Sequence, residues 1–227
     1  MSEGNKEIKV KLIETPLGKA IAIITVLCAI VGTVIAVLTY FRGSGPAVPA
    51  NSQVYAVGET VHFGEWDWRI LDVQGNKALL ITENVIETRP YNEEGTAVTW
   101  ETCTLRTYLN GEFLEKFSAR DRKMILLTQN NNPDNPWYEK GKGCGKTDDK
   151  VFLLSIEEGE KYFGNGQHNE ERMARFNNDR IMWWLRSPGH SQNYAAYIMD
   201  DGHVPILGLI VSNYNGGLRP ALWLKLT

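Results

Sequence analysis

Asp200 and Asp201 stand side by side before Gly202, and adjacent carboxylates supply the hard oxygen donors that calcium collects several at a time. A solvated turn carries the same pair. The signatures that accompany calcium-dependent sugar binding, Glu-Pro-Asn or Gln-Pro-Asp with Trp-Asn-Asp, are absent. Calcium therefore has no motif behind it, and no cofactor is expected. Gly143-Cys144-Gly145-Lys146-Thr147 has the ending of a phosphate-binding loop, but Lys140 holds the place of the required first glycine. His62, His168, His190 and His203 are scattered without a His-x-x-x-His pair, no Gly-x-Ser-x-Gly elbow occurs, and no Cys-x-x-Cys pair suggests zinc. No catalytic constellation emerges, and the expectation is a protein that is not an enzyme.

Arg186 and Arg219 lie inside apolar blocks, each close to a proline. A guanidinium there clamps a ligand carboxylate or ties loops together through carboxylate and backbone acceptors, and the apolar company favours the tie. Trp183, Trp184 and Trp223 offer stacking surfaces for sugars, although blocks this apolar place them first in a core.

The elements that must position these residues are short. Residues 57–61 read as a strand, and 66–73 and 77–82 as two more, flanking a Gln74-Gly75-Asn76 turn. Residues 104–109 look helical, with Asn110-Gly111 supplying a stop, and Ser118 opens another helix. The stretch 129–150 is polar, rich in Asn, Pro and Gly, and without a regular period, so it reads as a surface excursion. Residues 151–154 form a buried-strand candidate, and Ser155 caps the next helix with Glu158 at the capping-box position. Residues 183–186, 195–199 and 221–224 are further strands. Strands and helices mixed without a βαβ rhythm predict an α+β domain.

Residues 20–41 carry no charged side chain over the length that a bilayer-crossing helix needs. Lys6, Lys9, Lys11 and Lys19 precede the run, whereas Arg42 is the only cation between it and Arg69. The expected layout is a cytoplasmic segment 1–19, a transmembrane helix 20–41, a flexible linker 42–53 and an extracellular domain 54–227. A cleaved secretory signal is the alternative, since Val48-Pro49-Ala50 has small residues at a candidate cut, but the apolar run is longer than such a signal uses. The net charge of −3 and the lack of a basic stretch after the anchor exclude nucleic acid as a partner. Of the three cysteines, Cys103 and Cys144 fall in the outer domain, where a disulfide persists; sequence does not show whether they meet.

Several separated blocks resemble a bacterial family of uncharacterised extracellular domains. They are FGEWDWRIL at 63–71, DKVFLLSIEE at 149–158, WWLRSPG at 183–189 and GLRPALWL at 217–224. The closing blocks also resemble the core of C-type-lectin-like domains, including the variable proteins of diversity-generating retroelements and the formylglycine-generating enzymes. That resemblance implies an α+β, C-type-lectin-like fold. It also implies a ligand surface in the segment before the last strand, residues 191–215. The candidate ligand-binding residues there are Ser191, Asn193, Tyr194, Tyr197, Asp200, Asp201, His203, Asn213, Tyr214 and Asn215. Tyrosine offers contact area at little entropic cost, and Ser and Asn supply adaptable hydrogen bonds. Formylglycine-type oxidation needs a cysteine pair near the closing core, and Cys103 and Cys144 lie well upstream.

The expected function is thus a membrane-anchored extracellular ligand-binding or adhesion protein, its ligand an extracellular protein or glycan. The alternative is a structural or accessory envelope module that partners another membrane protein. Gly18, Ala22, Ala29, Gly32 and Ala36 would permit the helix association that this alternative needs.

Overall fold

Trp68 and Ile70 alternate with half-exposed Arg69, the two-residue period of a strand with one face in the core. The strand they belong to, β2 (Trp66–Gln74), pairs with β1 (Thr60–Phe63) on one side and β3 (Lys77–Thr82) on the other. A bulge between Ile70 and Asp72 lets Leu71 join the core as well. The closing strand β13 (Ala221–Lys225) completes this antiparallel sheet against β3. The turn between β2 and β3 needs Gly75 at φ 59°.

The computed structural model describes residues 55–165 and 169–226. The expected anchor at 20–41 and linker at 42–53 lie outside the described residues. Among those described, no helix is long and apolar enough to cross a membrane.

A second sheet has the order β11 (Leu209–Ile210), β10 (Tyr194–Ile198), β9 (Trp183–Pro188), β12 (Gly217–Leu218) and β4 (Glu87–Thr88). Only the β12–β9 pair is parallel. Two small hairpins accompany the sheets, β5 (Thr128–Asn132) with β6 (Gly145–Asp149) and β7 (Ala174–Phe176) with β8 (Asp179–Ile181). The helices are α1 (Thr104–Tyr108), α2 (Ala119–Met124) and α3 (Ile156–Phe163). The fold is a sheet-rich α+β domain.

Capping behaves as the sequence predicts. Ser118 accepts from the Asp121 N–H, and Ser155 and Glu158 form the reciprocal capping box. Three expectations shift. Asn110-Gly111 does not stop the helix: a π-helical turn, Leu109–Phe113, continues it. The Asn110 side chain bonds Val151 O and receives the Lys150 and Val151 N–H groups, so it works as a tie between segments. Residues 151–154 are all buried but form no strand of their own: Phe152 makes an isolated bridge to Ala221, and Leu154 O accepts the Arg186 N–H of β9. The first strand begins at Thr60, three residues later than its sequence suggests.

The stretch 129–150, read as an excursion, contains the β5–β6 hairpin. Its inward face is polar, which conceals it from hydrophobic periodicity. Buried Asp149 accepts from Trp100 Nε1, Arg106 Nε, Asn130 Nδ2 and Thr147 Oγ1. Buried Asn132 receives Arg186 Nε and donates to Thr147 Oγ1 and Gly145 O. A Cβ on Gly143 would lie 2.0 Å from Asn132 O, so this glycine serves close packing, and Gly145 to Thr147 belong to a strand.

Candidate functional site

Tyr197, on β10, lies opposite Trp184 of β9, and their rings meet edge to face at 6.4 Å. Trp184 is fully buried and fixed by its Nε1–H bond to Arg89 O, 2.8 Å long. This anchored indole gives Tyr197 a rigid backing. Burial, then the Asp200 and Asp201 carboxylates, hold the Tyr197 phenol above its ordinary pKa.

Beyond Tyr197 the chain turns through Asp200, Asp201 and Gly202. Gly202 has φ 81°, and a Cβ there would meet Asn169 O at 2.1 Å, so the turn sits tightly against its neighbour. Asn215 arrives from the loop before β12, where its N–H donates to Asn213 Oδ1 at 2.8 Å. Gly216 follows, and a Cβ at that position would come within 2.0 Å of Trp184 Nε1. The glycine thus lets the backbone run directly over the indole and delivers Asn215 beside Tyr197.

These residues border a cleft of about 440 Å³ lined by Thr88, Arg180, Ile181, Met182, Tyr197, Met199, Asp200 and Asn215. That volume is within the range of small-ligand sites, roughly 300–1,000 Å³. Ile181, Met182 and Met199 are the apolar members, and Thr88, Tyr197, Asp200 and Asn215 bring hydroxyl, phenol, carboxylate and amide groups. Arg180 and Asp200 are both exposed, and among the described residues neither makes a hydrogen bond or ion pair. The cleft therefore offers one free cation and one free anion beside an apolar surface.

Three of the ten candidate residues, Tyr197, Asp200 and Asn215, line this cleft; the other seven do not. Asn193 donates to Gly95 O, Asp201 accepts the His203 N–H, and Asn213 holds the Asn215 N–H. His203, half-buried, belongs to that same turn. Ser191 O accepts the Tyr194 N–H in a turn, and Tyr194 packs on His190 at 4.1 Å. Tyr214 is 67% exposed. Sequence reasoning missed Thr88, Arg180, Ile181, Met182 and Met199. A signal for Arg180 existed: Asn177 and Asn178 both take positive φ, the twin-Asn turn of a tight hairpin, which puts Arg180 on the returning strand.

Arg186 and Arg219 act as ties. Arg219 is fully buried, donates to Thr82 O and Glu83 O, and lies 5.0 Å from the Trp183 ring centroid. Burial lowers its pKa to about 9, which leaves it charged at neutral pH. Trp183 and Trp184 are core, while Trp223 is half-buried. Cys103 and Cys144 are both free thiols. Among the described residues no three His, Cys, Asp or Glu side chains converge as a metal site.

A sheet-rich α+β domain with an open, ligand-sized cleft is the class of protein defined by these features. Residues 75–226 match the family described as Domain of unknown function (DUF6273), and the chain belongs to that family. No curated protein and no solved structure matches it significantly.

Proposed function

We propose that the chain is a single-pass, membrane-anchored binding or adhesion protein, non-catalytic. Its outward-facing, C-type-lectin-like domain takes a segment of an extracellular protein into the cleft at Tyr197, Asp200 and Asn215. The charge-free run at 20–41 with lysines before it supports the anchor and its orientation. The blocks at 183–189 and 217–224 support the lectin-like reading.

The observation that carries the binding role is the free Arg180–Asp200 combination beside Ile181, Met182 and Met199 in one cleft. Neither charge serves the fold, and together they complement a ligand that bears both signs. Methionines adapt to varied apolar side chains. A peptide segment supplies such side chains and both charges, whereas a neutral glycan has no use for them.

A displayed peptide library screened against the full-length chain tests this reading. Bound peptides should lose at least tenfold in affinity with Asp200→Asn, Arg180→Ala or Tyr197→Ala, while the melting temperature of the exposed-charge variants stays put. Unchanged affinity in all three variants removes the cleft from the account. For topology, protease added to intact cells should digest the domain, and protection until lysis would reverse the proposed orientation.

A further inference from the structure

We propose that a second cleft, formed by β5, the first turns of α3 and β13, binds a neutral saccharide. It has a volume of about 300 Å³ and shares no lining residue with the first. The site goes beyond the peptide-binding reading and does not depend on it.

Of Trp183, Trp184 and Trp223, only Trp223 reaches the surface, half-buried on a strand whose neighbours Leu222 and Leu224 are core. Tyr162 of α3 lines the same cleft, also half-buried. Half-exposed aromatic rings present an apolar surface with a polar handle, suited to the C–H face of a sugar ring. The Lys77 ammonium, 4.4 Å from the Trp223 ring centroid, and the Lys161–Tyr162 hydroxyl bond of 3.1 Å hold these rings in place.

Side chains alternate in burial along β5. Asn130 and Asn132 point inward and are consumed by Asp149 and Arg186. Gln129 and Asn131 therefore share the outer face, exposed and lining the cleft. The Asn131 amide makes no side-chain hydrogen bond among the described residues, and Gln129 reaches Asp148 only at 3.5 Å. An amide carries two donors and a carbonyl acceptor, the combination that vicinal hydroxyls match. Exposed Glu157, also without a bonding partner among the described residues, adds acceptors at the rim.

Glu158, the other carboxylate of the cleft, is already engaged by Arg186 and by the Ser155 N–H. Most glycosidic cleavage uses a pair of available carboxyl groups, so the proposed role of this site is binding rather than hydrolysis.

The test uses the full-length chain in a detergent without a sugar headgroup. An array of neutral hexose, pentose and N-acetylhexosamine oligosaccharides is the probe, and hits are titrated calorimetrically. At least one oligosaccharide class should bind, and Gln129→Ala with Asn131→Ala should weaken it at least tenfold. Both residues are exposed, so an unchanged melting temperature will show that the fold survives; Trp223→Ala gives a second reading. Tyr197→Ala and Asp200→Asn should leave sugar binding unchanged, which separates this site from the peptide cleft. An array without binding overturns the proposal. So does binding that survives the double amide variant, or binding that vanishes with Tyr197→Ala.

Discussion

Arg186 of β9 and Glu158 of α3 form a fork-to-fork ion pair, with Nη2 donating to Oε1 at 3.0 Å and Nη1 to Oε2. The Arg186 side chain is 3% exposed and that of Glu158 29%. The same guanidinium bonds Asn132 Oδ1, Leu153 O and Asn131 O, and the same carboxylate closes the capping box on Ser155 N. One pair thus joins the second sheet, the polar hairpin, the 151–154 segment and a helix start. Its planar geometry explains why the position holds arginine.

Replacing Arg186 with Lys should cost roughly 3–5 kcal/mol, because one ammonium cannot serve this set of acceptors and Glu158 is left partly uncompensated. Glu158→Gln should cost less, since the amide oxygen keeps a capping bond. Urea titrations of the two variants rank them, and equal midpoints for Arg186→Lys and the parent would show that the pair contributes nothing.

Thr82 points its hydroxyl into the core at 0% exposure with no hydrogen-bond partner among the described residues. A buried hydroxyl without a partner carries its desolvation penalty uncompensated. Thr82→Val keeps the shape and removes the polar atom, so stability should stay level or rise by about 1 kcal/mol. A loss larger than that in thermal melts would reveal a partner for the hydroxyl, such as a buried water shared with Arg219.

The two outer cysteines should differ in reactivity. Cys103 caps α1 by accepting the Arg106 N–H at its sulfur, and burial pushes its thiol up to about 12. Cys144 is half-buried. A thiol reagent at pH 8 should therefore label one of the pair, Cys144, until denaturant opens the domain. The pH effect follows in sign. Between the unfolded thiol's pKa near 9 and the folded value, the folded state holds a proton that the unfolded state has lost. The contribution of Cys103 to stability is complete below 9 and falls as pH rises through that window. Cys103→Ala should flatten the alkaline slope.

Acid acts through a different pair. Arg69 bonds Glu83 through Nε at 3.1 Å and Nη2 at 2.5 Å, and that hydrogen bonding holds the Glu83 carboxyl below its usual value. Between the folded and unfolded pKa values the unfolded chain binds more protons, so this contribution is present above about 4.5 and disappears as pH falls through the folded value. Urea midpoints measured from pH 6 down to pH 3 should decline less steeply in Glu83→Gln than in the parent.

What the sequence makes legible depends on whether the signal is contiguous. The β2–β3 hairpin, the Ser118 and Ser155 caps and β13 each follow from a few neighbouring residues obeying one period or one capping rule. The β5–β6 hairpin escapes because its interior is Asn130, Asn132, Thr147 and Asp149, a polar network that resembles a loop until the partners are seen. The cleft at Tyr197 escapes for another reason: Thr88, Arg180 and Asn215 come from three separate segments, and only the fold brings them to Tyr197. Of the contiguous stretch of recognition-type residues, Tyr197, Asp200 and Asn215 line this cleft, whereas Asn193, Asp201 and Asn213 bond within or between turns.

Gly216 offers the sharpest test of how the proposed peptide site at Tyr197 is built. A methyl group there would sit 2.0 Å from Trp184 Nε1, and the tryptophan cannot yield because the same nitrogen is bonded to Arg89 O within a fully buried position. The backbone must therefore lift, carrying Asn215 away from Tyr197. Gly216→Ala should cost about 1–3 kcal/mol from overpacking and should abolish peptide capture. Saccharide binding at Trp223, on the other cleft, should persist at a temperature where the variant is still folded. Equal loss of both activities in the folded variant would mean that the two clefts are coupled through the β9 strand rather than built independently.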